Sequence, residues 1–228
     1  MNQLKHLVHN PNFRIMKNII LLILICSFKI NAQTPIIDRY GSYVGLGDIE
    51  NAYYKDVQNL RDQFVGTWTY SNGNELLRVR FRKIDFYYNN WGGTPYYCDY
   101  LVGEVYYKDA EGVVKINRLN ALNQNFTSIY EYSMHSSRFI KNNWIPNCLD
   151  CPLNTRRLYM FYSEPQVDDA GLKAGWAMRV VNENGVLKLK VQFELTDTAV
   201  GLNKYDYQSP STMKEHYLPY RDYILVKE

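Results

Sequence analysis

Gly185-Val186-Leu187-Lys188-Leu189-Lys190-Val191-Gln192-Phe193-Glu194-Leu195 decides the fold class of this 228-residue chain. Leu187, Leu189, Val191, Phe193 and Leu195 fall on one side of an extended strand, and Lys188, Lys190, Gln192 and Glu194 fall on the other. Strict period-two alternation of this kind marks a strand with one buried face. Trp176 to Val181 is its natural partner, because Asn182-Glu183-Asn184-Gly185 supplies a glycine able to adopt the positive φ of a tight hairpin. A second hairpin pairs Val105 to Lys108 with Val113 to Ile116 around Asp109-Ala110-Glu111-Gly112.

Outward from these hairpins the same rhythm continues. Glu75 to Tyr88 sets Leu77, Val79 and Phe81 against Arg78, Arg80 and Arg82. Ile84 and Phe86 then continue the arginine parity, so a β-bulge is expected near Lys83 to return the apolar face to the core. Further strands are expected at Phe64 to Ser71, Tyr97 to Gly103, Thr127 to Ser133, Arg157 to Tyr162 and Tyr217 to Lys227. Residues 33–47 read as a linker, and Asp48 to Gln63 as the one stretch suited to a short helix, with Asp48 or Asp56 as N-cap. No strand-helix alternation appears, which excludes a parallel sheet. The fold expected over 64–228 is therefore all-β: an antiparallel barrel of eight to ten strands, or a β-sandwich.

The amino-terminal residues read differently. Met16 and Lys17 precede a ten-residue apolar run, Ile19 to Phe28, and Ile30-Asn31-Ala32 ends in a small residue before Gln33. This is the grammar of a signal peptide over residues 1–32, cleaved near Ala32, with residues 1–15 as an upstream extension. The run is too short for a transmembrane helix, which needs about 20 apolar residues. Cys26 follows Leu24 and Ile25, not the small residues of a lipid-attachment site. The expected location is secreted or periplasmic. Removing Lys5, Arg14, Lys17 and Lys29 leaves 22 basic against 23 acidic residues and turns the formal charge from +3 to −1. Such a balance lacks the basic field on which nucleic-acid binding rests.

Phe64-Val65-Gly66-Thr67-Trp68-Thr69-Tyr70 resembles the opening of lipocalin-type barrels. In them the glycine bends the chain at the barrel floor and the tryptophan plugs that end under an arginine from the last strand; the resemblance makes Arg221 the candidate partner of Trp68. More widely, Asn51-Ala52-Tyr53-Tyr54-Lys55-Asp56, the Gly66-Thr67-Trp68 segment, Leu101-Val102-Gly103-Glu104 with Tyr106-Tyr107, and Leu218-Pro219 before Leu225-Val226-Lys227 resemble an uncharacterised domain family of small secreted bacterial proteins. The resemblance covers most of residues 50–227. It implies a lipocalin-like or related antiparallel fold and carries no catalytic residue to transfer.

Few residues suit known chemistries. After the leader only His135 and His216 remain, with no paired-histidine metal spacing. There is no Gly-x-Ser-x-Gly elbow, and Gly41, Gly45 and Gly47 lack the Lys-Ser/Thr ending of a phosphate loop. Asp168-Asp169 before Ala170-Gly171 reads as a turn, not an acid/base dyad. No cofactor is called for. Cys98, Cys148 and Cys151 cannot all pair, and an oxidising compartment favours either a Cys148–Cys151 clip or a bond from Cys98 to one of them. The Arg78, Arg80, Arg82 row reads as a solvated outer face, or as the lining of an anion cavity if the barrel is polar inside.

Tyrosine is the compositional outlier, with 21 in the chain and none in the leader. Most fit half-buried strand positions, with the ring packed and the hydroxyl wet. The run Tyr87-Tyr88-Asn89-Asn90-Trp91-Gly92-Gly93-Thr94-Pro95-Tyr96-Tyr97 stands apart, because five rings crowd a glycine- and proline-bearing loop. Tyr87, Tyr88, Trp91, Tyr96 and Tyr97 are therefore the candidate ligand-binding residues. Two functions follow as expectations: a non-catalytic binding module holding a small apolar or glycan ligand in or at the mouth of a barrel, or an envelope structural or interaction protein with an aromatic-rich surface.

Overall fold

In the computed structural model the alternation of 185–195 is realised in the middle of the strand, where Leu189 and Phe193 are wholly buried and Val191 nearly so, whereas Leu187 is exposed and Leu195 half-buried. Lys188 and Lys190 on the other face pair with Glu183 at 2.8 and 3.0 Å. The structure describes residues 34–165, 172–198 and 215–228. The leader with its cleavage point and the Asp168-Asp169 turn lie outside the described residues.

The strands are β1 (Ile36–Asp38), β2 (Tyr53–Lys55), β3 (Gly66–Asn72), β4 (Glu75–Asn89), β5 (Tyr96–Lys108), β6 (Val114–Asn117), β7 (Met134–Lys141), β8 (Arg156–Tyr162), β9 (Leu172–Glu183), β10 (Val186–Thr198) and β11 (Asp222–Lys227). Among the described residues the only helical pieces are short 3-10 segments, and none is long and apolar enough to cross a membrane. Eight strands run in the order β5-β4-β3-β11-β10-β9-β8-β7, and β7 pairs back on β5. The result is a closed antiparallel barrel, consistent with a lipocalin-like architecture. One edge of β5 is shared in succession by β2 at Tyr97 and Cys98, β7 at Val102 and Gly103, and β6 from Tyr106 to Lys108.

Both expected hairpins form. Glu183 pairs with Val186 across Asn184 and Gly185, whose φ values of 56° and 83° fit the mirror-image turn that matches strand twist. The bulge in β4 sits slightly later than expected, between Ile84 and Tyr87, with Phe86 at φ 57°. Ile84 needs no rescue, because it packs into a second apolar cluster on the outside of the barrel.

Two expected elements are corrected. Asp48 to Gln63 is not a helix: its centre is β2, parallel to β1 and β5, and only Asp62–Phe64 makes a 3-10 turn. Neither Asp48 nor Asp56 is its N-cap, which is Arg61 without a side-chain cap bond; the Asp56 carboxylate instead orders the loop before the turn, accepting from the Leu60 and Arg61 amides at 3.0 Å each. Thr127 to Ser133 is not a strand. Ser128 and Glu131 form a reciprocal capping box around the turn Ile129–Glu131, and the strand is the following β7.

The barrel interior is packed with side chains. Trp68 and Trp176 are fully buried, joined by Phe193, Tyr223, Met160 and Met178. Tyr223 and Tyr162 each stack on Trp176 with ring centroids 6.4 Å apart. Gly66 opens β3 at φ 116°, a conformation glycine adopts without Cβ strain. Gly103 gives room to the Phe81 ring, which a Cβ would approach to 2.7 Å. Near the Gly66 end, Arg61 is buried against Asp56 at 2.9 Å, Asp99 at 3.1 Å and Asp85 at 3.0 Å.

Candidate functional site

The run Tyr96 to Val102 is buried at every position but Tyr97, with Asp99 its one charged member, and a strand is buried on both parities only where both of its faces are covered. Leu101 points into the barrel, whereas Tyr96, Cys98, Tyr100 and Val102 point outward beneath a roof. Ala52 and Tyr54 of the N-terminal strap and Leu122, Ile129 and Tyr132 of the connection before β7 form that roof. Where the two halves of the roof leave a gap, a cleft of about 620 Å³ opens on the outer wall. Arg39, Leu46 and Tyr96 line one side, and Tyr130, His135 and Phe161 another, with Tyr100, Ser136, Ser137 and Lys173 completing it.

A bulge between Ser136 and Arg138 in β7 turns two successive carbonyls toward Arg39, whose Nη2 donates to both at 3.1 Å. Nη1 donates to the Asp99 carbonyl at 2.6 Å and touches the Cys98 sulfur. The guanidinium lies 4.5 Å from the Tyr100 ring centre. No carboxylate of the described residues is within ion-pair distance of Arg39. His135 sits between the Tyr130 and Phe161 rings, 5.0 and 5.4 Å from their centroids. Burial, reinforced by the Arg39 charge, pushes the His135 pKa down to about 4, so the ring is neutral at pH 7. Burial likewise pushes the Cys98 thiol up, against the pull of Arg39. A protonated, wholly buried thiol is not an activated nucleophile.

The sequence-derived candidates divide. The β4 bulge sends Tyr87 to the roofed outer face, where its hydroxyl donates to the Thr127 carbonyl at 2.8 Å and accepts from the Ile129 amide at 3.1 Å. Tyr88 and Tyr97 lie on the other side with Phe86, which stacks on Tyr97 at 4.0 Å. Of the four whose side chains are described, Tyr96 alone lines the cleft; the Trp91 side chain lies outside the described residues. The four described rings, Tyr87, Tyr88, Tyr96 and Tyr97, thus form no common platform. Trp68 does plug the barrel, but the cation over its ring is Lys227, at 5.2 Å. Arg221 instead pairs with Glu75 and covers the Tyr70 and Tyr223 rings, because it precedes β11 at the opposite end.

Cys148 and Cys151 are joined, with Cα atoms 5.4 Å apart, and Cys98 is the free cysteine among the described residues. The clip carries Asp150 to Arg179, at 2.7 Å. The arginine row faces outward: Arg78 pairs with Glu228 at 2.8 Å and Arg82 donates to Tyr132 Oη at 2.6 Å. With Leu77, Val79 and Phe81 filling the interior side, the anion-cavity reading of that row does not hold.

Sequence reasoning missed Arg39, Tyr130, His135, Phe161 and Lys173 as a group. They are scattered from residue 39 to residue 173, and the one local signal was the apolar and aromatic run from Tyr96 to Val102, broken only by Asp99. A model described as a family of unknown function (DUF6705) matches residues 16–228. No curated protein and no solved structure matches the chain.

Proposed function

The chain belongs to that family of unknown function, and from this premise we propose that it is a non-catalytic binding protein taking a small apolar or glycan ligand in the cleft on the outer wall of the barrel. One observation carries the reading: an aromatic-walled cavity of about 620 Å³ lies outside a barrel whose inside is filled. That volume is in the range of small-molecule sites. Catalysis is disfavoured by the protonation of the groups present, since a histidine with a pKa near 4 is a poor general base at neutral pH. Native mass spectrometry of protein from its own host, repeated on Phe161→Ala, tests the reading. A co-purifying ligand lost in the variant is the expected result; an empty wild type that also fails a ligand screen ends it.

Export is part of the same proposal. The leader pattern supports it, as does the Cys148–Cys151 bond, since such bonds persist in oxidising compartments. N-terminal sequencing of the mature protein is expected to begin at Gln33, and a product retaining Met16 would overturn it.

A second reading, an envelope interaction protein, is favoured by the ridge of Phe86, Tyr88 and Tyr97, in which Phe86 is 48% and Tyr88 52% exposed. The double variant Phe86→Ser/Tyr88→Ser should then abolish surface attachment while leaving the cleft ligand bound.

A further inference from the structure

We infer that the outer cleft selects a small carboxylate carrying an apolar body, with the carboxylate drawn to Arg39 and the body held against Tyr100, Tyr130 and Phe161; this rests on the reading of the cleft as a ligand site.

Charge is the first support. None of the ten residues lining the cleft is acidic, whereas Arg39 and Lys173 are cations. Among the described residues Arg39 is held by dipoles only: its Nη atoms meet the carbonyls of Asp99, Ser136 and Ser137 and the Cys98 thiol. Its Nε–H is buried without an acceptor. Carbonyl dipoles fix the position of a guanidinium but leave its full charge, and in a partly desolvated wall that charge acts through a low effective dielectric.

The carboxylates nearest in sequence to these contacts are committed elsewhere. Asp99 Oδ1 accepts from Tyr53 Oη at 2.6 Å and from the Phe86 amide at 3.0 Å, while Oδ2 accepts from the Asp56 amide at 2.9 Å and pairs with Arg61. Asp38 accepts from the Tyr40 amide at 3.1 Å and from Gln58 at 3.1 Å. Among the described residues, then, no neighbouring carboxylate supplies the counter-charge of Arg39.

Shape is the second support. Tyr130 and Phe161 are 57% and 45% exposed, yet both are held by edge contacts, Tyr130 to His135 and Phe161 to Tyr159. Rings fixed in orientation and open on one side offer a flat apolar body a binding surface at low entropic cost. A cationic ligand would meet Arg39 with no acid among the described lining residues to offset it.

Three probes with one body and three charges test this: 2-naphthoate, 2-naphthamide and 2-naphthylmethylammonium, titrated into the full chain by calorimetry. Naphthoate is expected to bind at least about tenfold more tightly than the amide, and the ammonium weakest. Phe161→Ala should weaken all three. Arg39→Gln, which keeps donors for the carbonyls, should bring the carboxylate-to-amide ratio close to one. Equal affinities for naphthoate and amide, or preference for the ammonium, with Phe161→Ala still weakening binding, would overturn the charge inference and leave the cleft as a ligand site. No binding of any probe below about 1 mM, or binding indifferent to Phe161→Ala, would overturn both. The wild-type ranking decides the question even if Arg39→Gln fails to fold.

Discussion

Two apolar clusters meet back to back through the wall made by β5, and they are built on opposite terms. The inner one is enclosed by the strands of the barrel, and its two largest members, Trp68 and Trp176, are wholly buried. The outer one is roofed by short segments, β1, β2 and the 3-10 turns at Leu119–Asn123 and Ile129–Glu131, and its roof leaves a gap. A ladder-closed core favours stability, and a core covered by short loops favours access. The binding reading therefore moves from the lumen, where lipocalin-like resemblance would place it, to the outer wall.

The comparison can be broken most sharply from within. Trp176→Ala removes one of the two largest buried side chains in the barrel and is expected to cost about 3–5 kcal/mol, seen as a lowered urea midpoint. Arg61→Met should cost about 3 kcal/mol, because it leaves Asp56 and Asp99 buried beside no cation; denaturation at pH 7 measures it. Leu122→Ala in the roof should cost about 2 kcal/mol. Its more telling readout is hydrogen exchange: the roof amides should lose protection while β9 and β10 keep theirs. If β9 and β10 loosen equally, the two clusters are one cooperative unit and the contrast fails.

Smaller effects sharpen the picture. Replacing Cys148 and Cys151 together by alanine should cost about 2 kcal/mol or less, as the loop they close is only a few residues long; thermal melting of the double variant checks it. His135 reports on the cleft through pH. Its folded pKa of about 4 lies below the unfolded 6.5, so below pH 6.5 the unfolded chain takes up a proton that the folded chain refuses. Stability is therefore fully present above pH 6.5 and falls as pH drops toward 4. Urea midpoints at pH 7 and pH 5 should differ in the wild type, and the difference should shrink in His135→Gln.

The barrel was legible wherever one face of a strand meets water. Leu187 to Leu195 and the two hairpins could be read because lysines and glutamates alternate with apolar residues. Legibility ended where a strand is covered twice. Ile84 suggested a fault in alternation only because an outer cluster is invisible to period counting, and Tyr53-Tyr54 were assigned to a helix because a three-residue strand gives no period at all. The Ser128 and Glu131 capping box was present in the sequence and was outweighed by the β-formers around it. The cleft was the least legible feature, since Arg39 reaches it through backbone carbonyls, which carry no residue signature.

The stitching of the barrel has a consequence of its own. β3, β4 and β5 form one continuous meander, and β7 to β11 another. The two are joined by only two paired positions at each seam, Trp68 and Thr69 with β11, and Val102 and Gly103 with β7. Each half can assemble from pairings close in sequence, so the docking of the two halves, where the loop-closure cost is concentrated, is the step expected to be slowest in folding. A pulling force applied across the seams would part the molecule like a clasp, while a force along the strands would have to shear the long ladders between β4 and β5 and between β9 and β10.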